Sequence, residues 1–200
     1  MMRLALLVSF AILCAVGQAA EPEFPTIESA VSSLYPGLEV DSSQTGDLNE
    51  DGRPEVAVIL KESHPNGVEQ MMRVVVFATT EQGQLRRWIE TKSVYDCKHG
   101  TALSIARSSL ILGCASSIGV EGADNISNEL QFKFRRGTLL LVGEEAEIIS
   151  DMNGPNERRH NFSRNFLTGR TVERQGRIES TKVDPTIKED AVSLADWGGW

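Results

Sequence analysis

The chain has 200 residues, with 28 Asp and Glu against 20 Lys and Arg, a formal net charge of −8. That acidity argues against nucleic acid as a partner, because phosphate contact relies on Lys and Arg. It leaves cations, sugars and basic proteins as partners, and the length suits one domain with a sizeable core.

Residues 1–20 read as a secretory signal peptide. Met1-Met2-Arg3 is a short basic start, Leu4 to Val16 is an uncharged apolar run, and Gly17-Gln18-Ala19-Ala20 offers small residues for cleavage. The apolar run is too short to span a bilayer as a helix. Cys14 has Leu13 before it, where a lipoprotein signal carries a small residue. No later segment is long and apolar enough to cross a membrane, so the expected location is periplasmic or secreted. Residues 21–190 are expected to form a single β-rich domain, with 191–200 as a C-terminal tail.

Thr26 suits a helix N-cap. Ile27, Ala30, Val31 and Leu34 follow at helical spacing, and Pro36-Gly37 ends the run. The spacing predicts one amphipathic helix over Thr26 to Tyr35, packing on a sheet.

Next comes Asp47-Leu48-Asn49-Glu50-Asp51-Gly52-Arg53-Pro54-Glu55. Oxygen side chains at positions one, three and five can converge on one cation. Gly52 at position six can take the positive φ of a sharp turn. The candidate metal ligands are Asp47, Asn49, Asp51, Arg53 through its carbonyl, and Glu55. Calcium is the expected ion, at an affinity of about 10⁻⁶ to 10⁻³ M for an extracellular module, and magnesium fits less well because it keeps more water. Position twelve is Val58 rather than a bidentate Glu, so this is not an EF-hand. The plain alternative is an Asp/Asn/Gly turn that holds no metal. The loop resembles those of FG-GAP and VCBS type, D-x-[DN]-x-D-G-x-x-[DE] running into a strand. The resemblance covers about fifteen residues and implies a structural calcium site, not a propeller, which needs repeated blades.

From Glu55 onward the pattern is strands and turns. Glu55 to Leu60 suits a central strand, and Pro65-Asn66-Gly67 marks a turn. Met71 to Thr79 and Leu85 to Thr91 are further strands, with Trp88 half buried. Ala102 to Ala106 and Leu110 to Cys114 form a hairpin about Arg107-Ser108-Ser109. Glu129 to Phe134 alternates polar and apolar, and Arg136-Gly137 turns the chain into Thr138 to Val142. Ala146 to Ile149 is a further short strand, and Phe162 to Phe166 with Arg170 to Glu173 is a last hairpin. Ser116 to Asn128 and Asp151 to His160 are expected to be long loops. The expected fold is α+β, mainly antiparallel β, a sheet meander or sandwich-like, with roughly nine or ten strands and one N-terminal helix.

Cys97 and Cys114 remain after export and are expected to pair. The link contributes about 3 kcal/mol in the chain-entropy model. A zinc site with His99 lacks a fourth ligand. His64, His99 and His160 read as surface or loop residues, and no G-x-S-x-G or H-E-x-x-H motif is present. Trp197 and Trp200 either dock on the sheet or contact a partner or a membrane surface. The functional expectation is an exported, non-enzymatic protein that binds a basic protein or cell-envelope partner, such as an inhibitor or immunity protein. The alternative is a cell-envelope hydrolase whose carboxylates, near Asp151, act as acid and base.

Overall fold

The computed structural model describes residues 21–62, 71–97, 99–118, 124–150, 157–184 and 192–199. The expected signal peptide, the expected Pro65-Asn66-Gly67 turn with His64, the segment from Asp151 to Asn156 and Trp200 lie outside the described residues.

Helix α1 spans Ile27–Leu34. Thr26 accepts from the Ser29 N–H and the Ser29 hydroxyl accepts from the Thr26 N–H, a reciprocal cap that satisfies two orphan donors. Tyr35 closes the helix, its N–H donating to the Val31 carbonyl, and Gly37 at φ +90° turns the chain away.

Sheet one holds β1 (Glu23–Phe24), β2 (Leu38–Gly46), β3 (Glu55–Glu62), β4 (Met71–Thr79), β5 (Leu85–Glu90) and β6 (Val94–Tyr95), in the order β1-β5-β4-β3-β2 with β6 on β4. Sheet two is an antiparallel meander of β7 (Thr101–Ala106), β8 (Ser109–Ile118), β9 (Asp124–Arg135), β10 (Thr138–Ser150), β11 (Arg158–Asn165), β12 (Arg170–Gln175) and β13 (Ile178–Val183). The α+β, mainly antiparallel expectation holds, with more strands than the pattern suggested. The additions are β1 and β6, each two residues long, and β2 and β13, whose exposed polar sequences carry no alternation. Thr138 to Ile149, expected as two strands, is one strand with a bulge at Val142. Much of the two expected loops is strand as well: β8 runs to Ile118, β9 starts at Asp124 and β11 starts at Arg158.

The layers are helix, sheet one, sheet two. Val56, Val58 and Leu60 of β3 pack with Val75, Phe77, Ala30 and Val31 on the helix side. Ala57 and Ile59 face the other way, with Val74, Val76, Leu110, Leu112, Leu130 and Phe132. A strand buried on both faces must be apolar at every position, which is why Val56 to Leu60 shows no alternation.

The chain's last described segment belongs to this core. The Leu141 N–H donates to the Val192 carbonyl and the Leu194 N–H to the Leu139 carbonyl, covering a stretch of β10 that β11 does not reach. Leu194 and Trp197 are buried, and Trp197 meets Phe132 edge-on at 6.2 Å. Of the alternatives for the tail, Trp197 takes the docked one.

The two sheets approach closely where β2 meets β7. A Cβ on Gly46 would lie 2.5 Å from Ile105 Cγ2 and 3.3 Å from Ile105 Cβ. The Gly46→Ala variant is therefore expected to lose about 1–3 kcal/mol through overpacking. Urea unfolding checks this: a midpoint equal to wild type would show that Ile105 yields without strain.

Candidate functional site

The acidic loop spans the gap from β2 to β3 and is held by its own side chains. Asp47 accepts from two backbone donors, the Asp51 N–H at 3.2 Å and the Gly52 N–H at 2.9 Å. The Asn49 amide oxygen also accepts from Asp51 N–H, at 2.8 Å, so the Asp47 and Asn49 oxygens converge on one point. Asp51 accepts from the Arg53 N–H and pairs with the Arg53 guanidinium at 3.0 Å. That guanidinium holds the Asp51 carboxyl below its ordinary range. Gly52 takes φ +83°, as the turn requires.

Glu55 behaves differently. It is 1% exposed, accepting from the Leu48 N–H at 2.7 Å and from the Asn49 side-chain amide at 3.0 Å. Burial pushes its carboxyl up, against the pull of the Leu48 hydrogen bond. Leu48, also 1% exposed, points into the core and anchors the loop from beneath.

The five expected ligands thus share one loop but face different partners. Asp47 and Asn49 converge, Asp51 faces Arg53, and Glu55 turns inward. Among the described residues no three His, Cys, Asp or Glu side chains gather as a metal group. The donor chemistry, carboxylate and amide oxygen, is the hard type that calcium takes.

At the far end of β3, Lys61 lies between Asp96 at 2.8 Å and Asp41 at 3.1 Å. Asp96 also accepts from the Cys97 N–H and from the Thr101 hydroxyl. Burial lowers the Lys61 pKa, and the hydrogen bonds to Asp96 and Asp41 outweigh it, leaving the ammonium raised. Cys97 and Cys114 are joined, with Cα atoms 5.7 Å apart, as expected. The ion pairs and the disulfide together tie β3, the segment before β7 and β8.

This corner opens into a groove of about 1070 Å³ along sheet two, its lining including Lys61, Thr101, Gly113, Glu129, Glu145 and Ser163. Glu129 and Glu145 are direct partners across β9 and β10. Both are exposed, and neither has a cationic partner among the described residues. Glu147 lies one pleat further along, in reach of Arg159 at 3.6 Å. The strand ends Ile118 and Asp124, and Ser150 and Arg158, are register partners at this same end of the sheet.

Among the described residues, His99 and His160 belong to no metal group. His99 Nε2 lies 2.8 Å from the Ser117 hydroxyl, and His160 sits on β11. Missed in the sequence are Lys61, hidden at the end of an apolar run, and the Glu129–Glu145 opposition. Extending the Thr138 strand past Gly143 would have brought a glutamate opposite Glu129.

Among the described residues no helix is long and apolar enough to cross a membrane. Comparison with protein-family models, with curated proteins and with solved structures gives no match.

Replacing Lys61 with Met would leave Asp96 buried without its counter-charge, an expected loss of about 3–5 kcal/mol. In the wild type the pKa of Lys61 is raised by folding. Its contribution is thus complete below the unfolded value of 10.5 and lost as pH rises through the folded value. Urea midpoints of the wild type should fall above that value more steeply than those of Lys61→Met. Parallel pH profiles would refute the coupling.

Proposed function

We propose that this is an exported, non-catalytic binding protein whose acidic loop is a structural calcium clip and whose partner is a basic protein segment seated in the sheet-two groove. The observation that carries the reading is the Glu129–Glu145 pair. Like charges directly opposite each other across a sheet destabilise it by about 0.2–1 kcal/mol. Here they stand exposed and unpaired, in a groove lined by small side chains that include Ala102, Gly113 and Ser163. A Lys or Arg side chain laid between them would turn that repulsion into attraction. An open groove along the sheet suits an extended segment, and electrostatic complementarity would speed encounter and fix register. Export and an envelope location rest on the signal-like first twenty residues, with the Cys97–Cys114 disulfide as support.

The same pair favours a second reading, a cell-envelope hydrolase, since two close carboxylates are what glycoside cleavage uses. Against it, both residues stand in solvent, with no burial to set an acid apart from a base.

One pair of variants separates the readings. Glu129→Gln and Glu145→Gln should each raise stability by about 0.2–1 kcal/mol while losing capture of a basic envelope protein that wild type retains at low salt. If both variants capture the same proteins as wild type, the groove is not the binding surface. If instead wild type cleaves envelope polymer and the variants do not, the hydrolase reading replaces this one.

For the loop, Asp47, Asn49 and Asp51, with the Arg53 carbonyl and Glu55, would hold calcium. The ion would neutralise three of the four carboxylates crowded into nine residues and pin the entrance of β3. The loop's direct passage into β3 supports the resemblance to FG-GAP and VCBS loops. Metal-free protein titrated with calcium should melt higher, by about 2.7 kcal/mol of added stability at a hundredfold excess over Kd, and Asp51→Ala should lose most of that gain. A wild-type melting temperature indifferent to calcium would sink the clip.

A further inference from the structure

A second cleft, of about 470 Å³, lies beside the acidic loop at the opposite end of β3 from the groove. Its size falls within the ~300–1,000 Å³ of small-molecule sites. Sheet one contributes Trp88 from β5 to its lining, and sheet two contributes Phe134 from β9. The two rings meet at 5.3 Å between centroids, tilted by 55°. Both are half buried, packed against the core on one side and lining the cleft on the other. The Trp88 indole N–H has no hydrogen-bond partner among the described residues and is reached by solvent, so a ligand in the cleft can accept from it.

We infer that this cleft binds a saccharide ring, stacked on Trp88 and Phe134 and hydrogen-bonded by Gln82, Arg86 and Glu23. The lining carries both signs of charge, with Glu23, Asp51, Glu55 and Glu81 beside Arg53 and Arg86, and its acidic loop side is the edge assigned above to calcium. Arg53 is already committed to Asp51 at 3.0 Å and lies 3.8 Å from Glu81. Arg86 and Glu23 carry no ion pair among the described residues, and they are held near each other as direct partners between β1 and β5. Donors and acceptors of both signs around one aromatic pair suit a ligand whose hydroxyls both donate and accept and whose C–H face is apolar. This site is separate from the sheet-two groove and does not rest on it.

The test follows the indole N–H resonances of the whole exported chain by two-dimensional NMR, with the Trp88 signal assigned from Trp88→Phe. The probes are triacetylchitotriose, maltotriose and glucose, with tetramethylammonium and inorganic phosphate as charged controls. At least one sugar should shift the Trp88 signal saturably and leave Trp197 in place. Arg86→Ala and Gln82→Ala, both at exposed positions, should each weaken that sugar about tenfold, equivalent to about 1.4 kcal/mol. The inference fails if no sugar moves the Trp88 signal by about 20 mM, well beyond a millimolar Kd. It fails equally if only a charged control moves it, or if both alanine variants titrate like wild type.

Discussion

The double burial of β3 organises the rest of the molecule. Val56, Val58 and Leu60 face the helix layer while Ala57 and Ile59 face sheet two, so no position from 56 to 60 can carry a polar group. Polar side chains are displaced to the two ends of the strand, and there they are charged and mostly buried. Glu55 at the start is held by the acidic loop, and Lys61 at the end is held by Asp41 and Asp96. A buried charge persists only with partners, so each end needs a dedicated polar structure. One end acquires the acidic loop and the aromatic cleft. The other acquires the ion-pair corner, the disulfide and the groove. At about 3.3 Å per residue, the two sites stand roughly 20 Å apart along one rigid strand.

The bulge in β10 sets the chemistry of the groove. Up to Leu141 the hairpin follows the register set by the Arg136-Gly137 turn, and from Gly143 it is shifted by one residue. Without the shift Glu144 would oppose Glu129. With it, Glu145 takes that place, and Glu144 turns to the other face, where it pairs with Arg164 across β11 at 3.3 Å. One extra residue thus separates two adjacent glutamates into a satisfied ion pair and an unsatisfied like-charge pair. Slipping the register by one exchanges the faces of every later side chain, so the bulge decides which carboxylate the groove displays.

Elements with strong local signals were legible in the sequence. The helix had a cap, an apolar stripe and a Pro-Gly stop. The strands of the core had β-branched runs bounded by turns, and the two cysteines had no competing partner. What escaped was structure whose cause lies elsewhere in the chain. Strand β2 reads as polar loop because its register is imposed by β3, and β13 because it is an edge with all six residues exposed. Bulges leave no mark in a periodicity read strand by strand, so β10 looked like two pieces. For the acidic loop the spacing gave the ligand types and the turn glycine. It could not show that Arg53 would reach back to Asp51, or that Glu55 would be drawn under the loop by Leu48 and Asn49.

Beyond β10, sheet two extends through β11, β12 and β13, and the burial of its side chains falls away until β13 is exposed throughout. Such a region gains little from the hydrophobic effect and depends on cross-strand pairs, each worth a fraction of a kcal/mol. The pairs are present: Glu144 opposite Arg164, Arg174 opposite Glu179, and Arg159 near Glu147 and Glu157. Facing charges are opposite in sign there. Closer to the core, between β9 and β10, Glu129 opposes Glu145 with the same sign. That like-charge pair, standing beside a groove, is what the proposed cationic partner would neutralise.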